Sequence, residues 1–514
     1  MKLLTFGAVI LVTIANSFGA NILGVIPTPS HSHQVVFWPI WKELSLRGHK
    51  VTVITTDPIN NPKLENLTEI DVHSAYQYFN FNMFEMVEKP FWKMFSIYAD
   101  VLTNMADHII KNDEVQRLIS DETVHFDVVM VEAFHTAALG FATRYKCPLI
   151  LMSSLDGSSF AYREIGNPAH PVLHPDFMLP VQNDLAFLQR LASTWNIFLS
   201  NLIQNYLVIP LQQDLVKKYF GEGYPPIQDI FKNYSVFLVN TNPLLHPIRP
   251  LLPNIISIGG GTHLRKHNVL PENLQRVLDD ATNGVIYFSL GTNAKSKHLS
   301  YGIRREILET FRELPYTVLW KFENDNMPNV SENVVISKWF PQQDILKHPN
   351  VKLFITQGGL QSLEEAIFSN IPIVGIPVMA DQMVNVANAV SKGLGLSLNY
   401  KDIKKDDFKS AILDVINDPR YRNNAKKMAE FLQDQPETGV DRAVWWTEYV
   451  IRNGGAPHLT NPGIQLPWYQ YYLLDVFGFA LCLLFAAVYT IIVLCRAAAR
   501  IKLPLKRFFK VKVT

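Results

Sequence analysis

One block of the sequence, residues 351–382, constrains the fold more than any other, because strand-like and helix-like segments follow one another there at short intervals. VKLFIT and IPIVGIP are apolar runs of strand length, and LQSLEEAIF between them has the pattern of a helix. Gly358 and Gly359 join the first run to the helix and let the backbone turn sharply towards a ligand. The order predicts two parallel strands whose connecting helix presents its N-terminus to a ligand.

The same alternation of apolar runs with helical stretches extends along most of the chain. The further strand-like runs are NILGVIP, KVTVITT, FDVVMVE, PLILMSS and SVFLVNT in the first half and NIISIGG, GVIYFSLGT, YTVLWKF and NVVISKWF in the second. Such alternation predicts α/β domains with parallel sheets covered by helices. We expect two tandem Rossmann-like domains, residues 21–245 and 246–455, joined in the Pro-rich segment 241–254.

The stretch from residue 339 to residue 382 resembles the donor-binding signature of the UDP-glycosyltransferases, and of insect members in particular. The resemblance implies the GT-B fold, in which two Rossmann-like domains face a cleft, with a UDP-sugar as co-substrate and no other cofactor. It implies that Trp339 stacks on uracil, Gln342 and Glu365 bind the ribose, Gly359 and Ser362 hold the diphosphate, and Asp381 and Gln382 bind the donor sugar. Gln357 stands where many relatives have His, and its amide can donate to a phosphate oxygen but cannot become cationic.

A second turn, SLGTN, ends another predicted strand and offers backbone donors and small residues beside the diphosphate. We expect Gly291 and Thr292 to support the donor there. The chain contains no D-x-D motif, so we expect no metal and a diphosphate held by donors at the helix start. The expected reaction is a one-step displacement at the anomeric carbon, with inversion.

Transfer of a sugar to a hydroxyl requires a general base, and His33 is the first candidate. It lies between the first predicted strand and a helix, in the segment SHQVVFWPIWKELSLRGH, which resembles the family's segment with the base histidine. His31 is the second candidate. Glu132, at the end of FDVVMVE, occupies the place of the family's usual Asp and is expected to orient the base, with Asp127 as an alternative.

The chain ends indicate a membrane protein. Residues 1–20 resemble a signal peptide, residues 456–475 a juxtamembrane segment with an aromatic belt, and residues 476–495 an uncharged transmembrane helix. All charged residues of the tail 496–514 are basic, which predicts a type I orientation with lumenal catalytic domains. Its last five residues, KVKVT, resemble an endoplasmic reticulum retrieval signal, and three N-x-S/T sequons predict a glycoprotein.

Charge and composition exclude some partners and leave others open. The formal charge of +1 for the whole chain includes the positive charges of the basic tail. The part between the chain ends is therefore acidic, and nucleic-acid binding is not expected. We expect a transferase for small lipophilic acceptors, with glucose favoured over glucuronate because the block is insect-like. The alternatives are a non-catalytic relative that binds UDP-sugar or a lipophile, and a ceramide or sterol glycosyltransferase. The oligomeric state is open, a homo-oligomer included.

Overall fold

Two sheets of parallel strands form the frame of the chain in the computed structural model, which describes residues 19–176, 185–266, 268–324 and 327–502. The predicted signal peptide up to residue 18 lies outside these ranges. So does the predicted tail from residue 503 onward, including the retrieval-like signal.

The first sheet has seven strands. They are β1 (Asn21–Ile26), β2 (Lys50–Thr55), β3 (Leu67–Asp71), β4 (Val128–Glu132), β5 (Leu149–Ser153), β6 (Tyr234–Val239) and β7 (Ile255–Ser257). They pair in parallel in the order β3-β2-β1-β4-β5-β6-β7, so β1 and β4 are neighbours although about a hundred residues separate them. The last strand corrects the sequence analysis, which assigned NIISIGG to the second half, because β7 pairs with β6 of the first sheet.

The second sheet has six strands, again all parallel. They are β8 (Val285–Ser289), β9 (Thr317–Lys321), β10 (Val334–Ser337), β11 (Val351–Thr356), β12 (Ile373–Gly375) and β13 (Gly395–Ser397), in the order β10-β9-β8-β11-β12-β13. Strands β11 and β12 are the two apolar runs of the block that opened the sequence analysis, and they pair in parallel as expected.

Nineteen α-helices accompany the strands within the described residues. They are α1 (His31–Leu46), α2 (Met83–Met86), α3 (Phe91–Ile110), α4 (Asp113–Ser120), α5 (Gly140–Tyr145), α6 (Ser159–Glu164), α7 (Phe187–Ile203), α8 (Ile209–Phe220), α9 (Ile227–Lys232), α10 (Glu272–Asp280), α11 (Tyr301–Arg312), α12 (Gln342–Leu346), α13 (Leu360–Phe368), α14 (Gln382–Ser391), α15 (Lys405–Asn417), α16 (Pro419–Gln433), α17 (Gly439–Asn453), α18 (Trp468–Tyr471) and α19 (Leu474–Lys502). Short 3-10 and π-helical turns complete the connections.

Each sheet is buried on both faces, as parallel sheets are when helices cover them. In β1, Leu23 and Val25 belong to one apolar core while Ile22 and Ile26 belong to another on the opposite face. Strand β11 is divided between two cores in the same way. These continuous apolar strands are the reason that the sheet positions were readable from the sequence.

Two segments cross from one sheet to the other. Helix α17 follows the second sheet in the chain but packs on α1, β6 and β7 of the first. In the aromatic stretch before α3, Met83 and Phe84 of α2 are buried in a core of the second sheet, where the Phe84 ring lies 5.3 Å from that of Tyr400. The predicted domain ranges stay a prediction, since the chain does not divide cleanly at one residue.

The C-terminal residues from Asn461 form a separate unit that contains α18 and α19. Residues Leu474–Arg500 of α19 have a mean hydropathy of 2.6 and none of the most apolar window is buried by protein. By length and composition this helix can cross a bilayer. It includes the predicted span 476–495.

Candidate active site

A cleft of 790 Å³ lies between the two sheets. On the side of the first sheet, its wall includes His31 and Ser32 at the start of α1. On the side of the second sheet, the wall is built from the turns that follow β8, β10 and β11 and from the first turn of α13. The carboxyl ends of parallel strands are the usual place for a ligand in open α/β sheets.

Most residues that the sequence indicated for the donor meet in this cleft. Those that line it are Gly291, Thr292, Trp339, Gln342, Gln357, Gly359, Ser362 and Glu365. They come from three turns and two helices, yet the fold brings them to one wall.

Trp339 offers a flat face to the cleft. It follows β10 in a loop, and its side chain is 56% exposed. The ring of His31, from the opposite wall, stands edge-on to the indole at 5.5 Å between centroids. The ammonium of Lys321 lies 5.9 Å from the indole centroid. A planar base can stack on this indole.

Gln342, Ser362 and Glu365 form a hydrogen-bonded group beside the indole. The amide of Gln342 donates to Glu365 Oε2 at 2.6 Å and to Ser362 Oγ at 2.9 Å. The amide of Gln343, which the sequence analysis did not single out, donates to Glu365 Oε1 at 3.0 Å. The Glu365 carboxylate therefore has a fixed orientation, and it can accept hydrogen bonds from vicinal hydroxyl groups.

His263 is a buried histidine in the cleft wall that the sequence analysis missed. Its Nδ1 is 3.3 Å from Glu364 Oε2 and its Nε2 is 3.3 Å from Glu365 Oε1. Burial lowers the pKa of His263, but hydrogen bonds and charges from the two glutamates outweigh this and raise it to about 9. The residue follows a run of three glycines in no motif, so the sequence carries no signal for it.

Glycines allow two turns of the donor wall to approach each other. Gly291 has a φ of +78°, and a β-carbon there would lie 2.4 Å from the side-chain nitrogen of Gln357. Gly358 has a φ of +84°, and a β-carbon there would lie 2.1 Å from Val386. Gln357 is buried, and its Oε1 has no hydrogen-bond partner among the described residues. Gly359 is the N-cap of α13, so the unpaired N–H groups of the first helical turn face the cleft.

His33 and Glu132 form a hydrogen-bonded pair at the first sheet. They are 99 residues apart in sequence, and Nδ1 of His33 lies 2.7 Å from Glu132 Oε1. Glu132 is fully buried while the His33 side chain is 17% exposed. The carboxylate of Glu132 therefore contacts the imidazole ring, although a glutamate stands here in place of the family's usual aspartate. Asp127, the alternative, accepts a hydrogen bond from the backbone N–H of Asn21 at the other end of the sheet.

Further polar groups fix the Glu132 carboxylate. The Ser154 hydroxyl donates to Glu132 Oε1 at 3.1 Å and lies 2.6 Å from His33 Nδ1. The Thr28 hydroxyl donates to the other oxygen of Glu132. Burial raises the pKa of Glu132, but the charge and hydrogen bond of His33, with the Thr28 hydrogen bond, hold it below its ordinary value. Glu132 is therefore ionised and accepts only, which assigns the Nδ1 proton to His33.

His135, next to the pair, is buried like His263. Burial lowers its pKa to about 4, despite the nearby Glu132 carboxylate. It stays neutral near pH 7 and lies 2.7 Å from the Thr28 hydroxyl. It completes the hydrogen bonding of Thr28 without adding charge to the site.

Two hydrogen bonds join the walls of the cleft. The amide of Gln361, in the first turn of α13, donates to the Ser154 carbonyl at 3.0 Å. The amide of Asn293 donates to the Ser30 hydroxyl at 2.9 Å. Ser154 also contacts His33 and Glu132. The helix that carries Ser362 and Glu365 is therefore connected, through Ser154, to the pair formed by His33 and Glu132.

His31, the second base candidate, has a carboxylate of its own. Its Nδ1 lies 3.5 Å from Asp57 Oδ1, and the hydroxyl of Tyr76 donates to Asp57 Oδ2 at 2.9 Å. Burial raises the pKa of Asp57, but hydrogen bonds from His31, Tyr76 and Thr56 bring it below its ordinary value. The His31 ring lies beside Trp339, whereas His33 is held at the strand ends behind it.

Asp381 and Gln382 lie outside the lining of the cleft. Gln382 Oε1 accepts hydrogen bonds from the backbone N–H groups of Val378 and Met379, at 2.9 and 3.2 Å. Asp381 Oδ2 accepts from the Asn385 amide at 2.7 Å. Burial raises the pKa of Asp381, and the hydrogen bond from Asn385 and the charge of His33 only partly offset this.

Comparisons with known proteins show which family the chain is similar to. The model of the family described as UDP-glucoronosyl and UDP-glucosyl transferase matches residues 21–507. UDP-glycosyltransferase UGT5 of the insect Dactylopius coccus is 33% identical over 484 residues, which cover 92% of this chain and 91% of the relative. UDP-glucosyltransferase 2 of the same organism is 34% identical over 499 residues, 95% of each chain.

A solved structure has the same fold. The glycotransferase of kitacinnamycin superposes with a TM-score of 0.55 at 19% identity, covering 84% of this chain and 99% of its own. The predicted fold class, two Rossmann-like domains in the GT-B arrangement with an apolar C-terminal helix, is thereby confirmed. With a matching family model over nearly the whole chain and relatives of this identity, the protein belongs to the UDP-glycosyltransferase family and is a glycosyltransferase.

Proposed function

We propose that this enzyme transfers a hexose, glucose by preference, from its UDP-sugar to a hydroxyl of a small lipophilic acceptor, with inversion at the anomeric carbon. The single observation that carries the proposal is the hydrogen bond between Gln361 and Ser154. It connects the helix of the donor wall to Ser154, which contacts His33 and Glu132, and this supports the proposal that a base and a nucleotide site serve one cleft.

In this proposal His33 is the general base. Its Nδ1 proton is held by Glu132, so the lone pair of Nε2 is free to accept the proton of the acceptor hydroxyl. The acceptor oxygen attacks the anomeric carbon, and the bond from that carbon to the β-phosphate oxygen of UDP breaks. The ionised Glu132 stabilises the imidazolium that forms.

The donor wall would bind the nucleotide by stacking and hydrogen bonding. Trp339 stacks on the uracil, while Gln342 and Glu365 bind the ribose hydroxyls. The diphosphate lies at the start of α13, against the N–H groups near Gly359 and the hydroxyl of Ser362.

The leaving group and the sugar would be held by other residues of the same wall. Gln357, whose buried amide points at Gly291, and the turn at Gly291 and Thr292 provide further donors to the phosphate oxygens. These fixed donors stabilise the charge that develops on UDP, so we propose that no metal is required. Asp381 and Gln382 are proposed at the sugar end because they occupy the positions that bind the donor sugar in the family's signature.

Glucose is proposed on the strength of the relatives. UDP-glucosyltransferase 2 of Dactylopius coccus carries that sugar in its name, and it aligns with 95% of this chain. The apolar helix α19 fits a membrane anchor. We further propose that the anchor lies in the endoplasmic reticulum membrane in a type I orientation, with the cleft on the lumenal side.

A donor screen tests the proposal. Membranes that contain the full chain are incubated with UDP-glucose, UDP-glucuronate or UDP-galactose and a phenolic acceptor, and both UDP release and glycoside are measured. We expect the glucoside to form fastest. His125→Ala is the matched control, because its side chain is 67% exposed and lies away from the cleft. Equal or higher rates with UDP-glucuronate would overturn the sugar assignment, and absence of any glycoside would overturn transfer to phenolic acceptors.

A further inference from the structure

His263 stands where the connection between the two sheets meets the donor wall. It follows β7 of the first sheet, after Gly259, Gly260 and Gly261, and it is only 4% exposed. The backbone N–H of Gly260 donates to Glu364 Oε1 at 2.9 Å, so the connection is also attached to α13 just before the imidazole. A histidine on the segment between the domains therefore contacts the helix that carries the proposed nucleotide ligands.

The imidazole of His263 lies between the carboxylates of two consecutive residues, Glu364 and Glu365. Glu364 is fully buried and the side chain of Glu365 is 10% exposed, and each has one oxygen 3.3 Å from a different ring nitrogen of His263. Two buried carboxylates this close to each other disfavour each other's ionisation unless a cation lies between them. A protonated ring, which donates from both nitrogens, supplies that cation.

Other charged groups nearby are already paired. Arg265, two residues further along the connection, forms an ion pair with Asp344 of α12 at 2.5 Å. Burial raises the pKa of Tyr287 on β8, so its phenol stays neutral. Among the described residues, the charges that act on the pKa of His263 are those of Glu364 and Glu365, and together they favour the protonated ring.

We propose that His263 is a positioning residue of the donor site: as an imidazolium it keeps Glu364 and Glu365 ionised and orients Glu365, so that affinity for the nucleotide falls when His263 loses its proton. The inference rests on the proposed function, in which Glu365 binds the ribose. Loss of the imidazolium leaves two facing carboxylates and adds net negative charge next to an anionic ligand. Glu365 then has to turn away or take up a proton, and either change removes an acceptor of the ribose hydroxyls.

Calorimetric titration with UDP tests the inference on the full chain in detergent. Affinities are measured at pH 7 and pH 9.5 for wild type, His263→Gln and the exposed control His125→Gln. We expect His263→Gln to weaken binding about tenfold at pH 7, the effect of one pKa unit of lost interaction. We also expect wild type and control to lose about threefold more affinity than His263→Gln on going to pH 9.5, because about a quarter of His263 with a pKa of about 9 is still protonated there. Titration of uracil itself affects all three proteins equally and cancels in the comparison.

Glu364→Gln is a second variant that keeps the imidazole. With one attractive carboxylate removed, His263 should release its proton at lower pH, so the midpoint of the affinity loss should move down. Equal pH dependence in wild type, His263→Gln and Glu364→Gln would overturn the positioning role. Failure of wild type to bind UDP at pH 7 would instead overturn the proposed nucleotide site.

Discussion

The two walls of the cleft are built in opposite ways. On the donor wall, Trp339, Gln342, Ser362 and Glu365 come from one stretch of chain, and the indole is 56% exposed. On the base wall, His33 and Glu132 are 99 residues apart in sequence and the carboxylate is fully buried. A ligand can thus compete for the hydrogen bonds of the first wall, whereas those of the second are held within the protein. Substitutions on the donor wall should therefore change affinity, and those on the base wall should change rate.

The largest expected effect is on the base wall. His33→Ala should lower turnover by roughly 10²–10⁴, because a general base is lost. Affinity for UDP should remain that of wild type, since the nucleotide residues lie on the other wall. Single-turnover glycoside formation and calorimetry measure the two quantities, with His125→Ala as control. Near wild-type turnover would exclude His33 as the base and direct attention to His31.

The donor wall should respond in affinity. Trp339→Ala and Glu365→Ala should each weaken UDP binding by about 1–3 kcal/mol, through loss of a stacking partner or of charge-assisted hydrogen bonds. Trp445→Ala on α17 is a matched control, because this tryptophan is 46% exposed and lies outside the cleft lining. Unchanged affinity for UDP in both variants would show that this wall does not bind the uridine.

A smaller effect is expected where the walls meet. Gln361→Ala removes the hydrogen bond to the Ser154 carbonyl, worth about 1 kcal/mol. We expect turnover at saturating donor to fall about fivefold, since the geometry between base and donor is loosened, with little change in UDP affinity. A change in affinity alone, without a change in turnover, would show that the two walls work independently.

Stability should also depend on pH through the donor wall. The pKa of His263 is raised to about 9 from an ordinary 6.5, so its contribution to stability is complete below pH 6.5 and is lost as the pH rises through 9. The melting temperature of wild type should fall on the order of 2–4 °C more than that of His263→Gln between pH 6.5 and 9.5. Scanning calorimetry at both pH values measures this, and parallel falls would contradict it.

Removal of metal ions is expected to have no effect on the rate. Excess EDTA should leave initial rates unchanged, because fixed donors at the start of α13 are proposed to hold the diphosphate. Membranes without chelator and membranes with chelator plus excess Mg²⁺ are the controls. Complete loss of activity in EDTA, restored by Mg²⁺, would show that the donor wall needs an ion to hold UDP.

The contrast between the walls also explains what the sequence could predict. The strands are continuous apolar runs between turns, so the two parallel sheets were recognisable, and the donor residues fell within one local block. The distance from His33 to Glu132 depends on β1 lying next to β4, which is a property of strand order. Here the resemblance to a family, and not the spacing of the residues, led to both positions.

Other features depend on tertiary packing alone. His263 carries no local pattern, and its significance comes from the two glutamates of α13 that face it. The strand β7 was assigned to the wrong sheet because a short apolar run after a Pro-rich segment does not show which neighbour it pairs with. The crossing of α17 to the first sheet is equally invisible in its periodicity, since an amphipathic helix covers either sheet equally well.

Because of that crossing, the catalytic part of the chain passes twice between the first sheet with its helices and the second. The first passage is the glycine-rich connection after β7, and the second is the segment that leads into α17, residues 434–438. We expect the cleft to open by rotation about the glycine-rich connection, with α17 resisting separation because it stays packed on the first sheet. A single proteolytic cut in the glycine-rich connection would leave the two sheets joined only by non-covalent contacts, among them the packing of α17 on the first sheet.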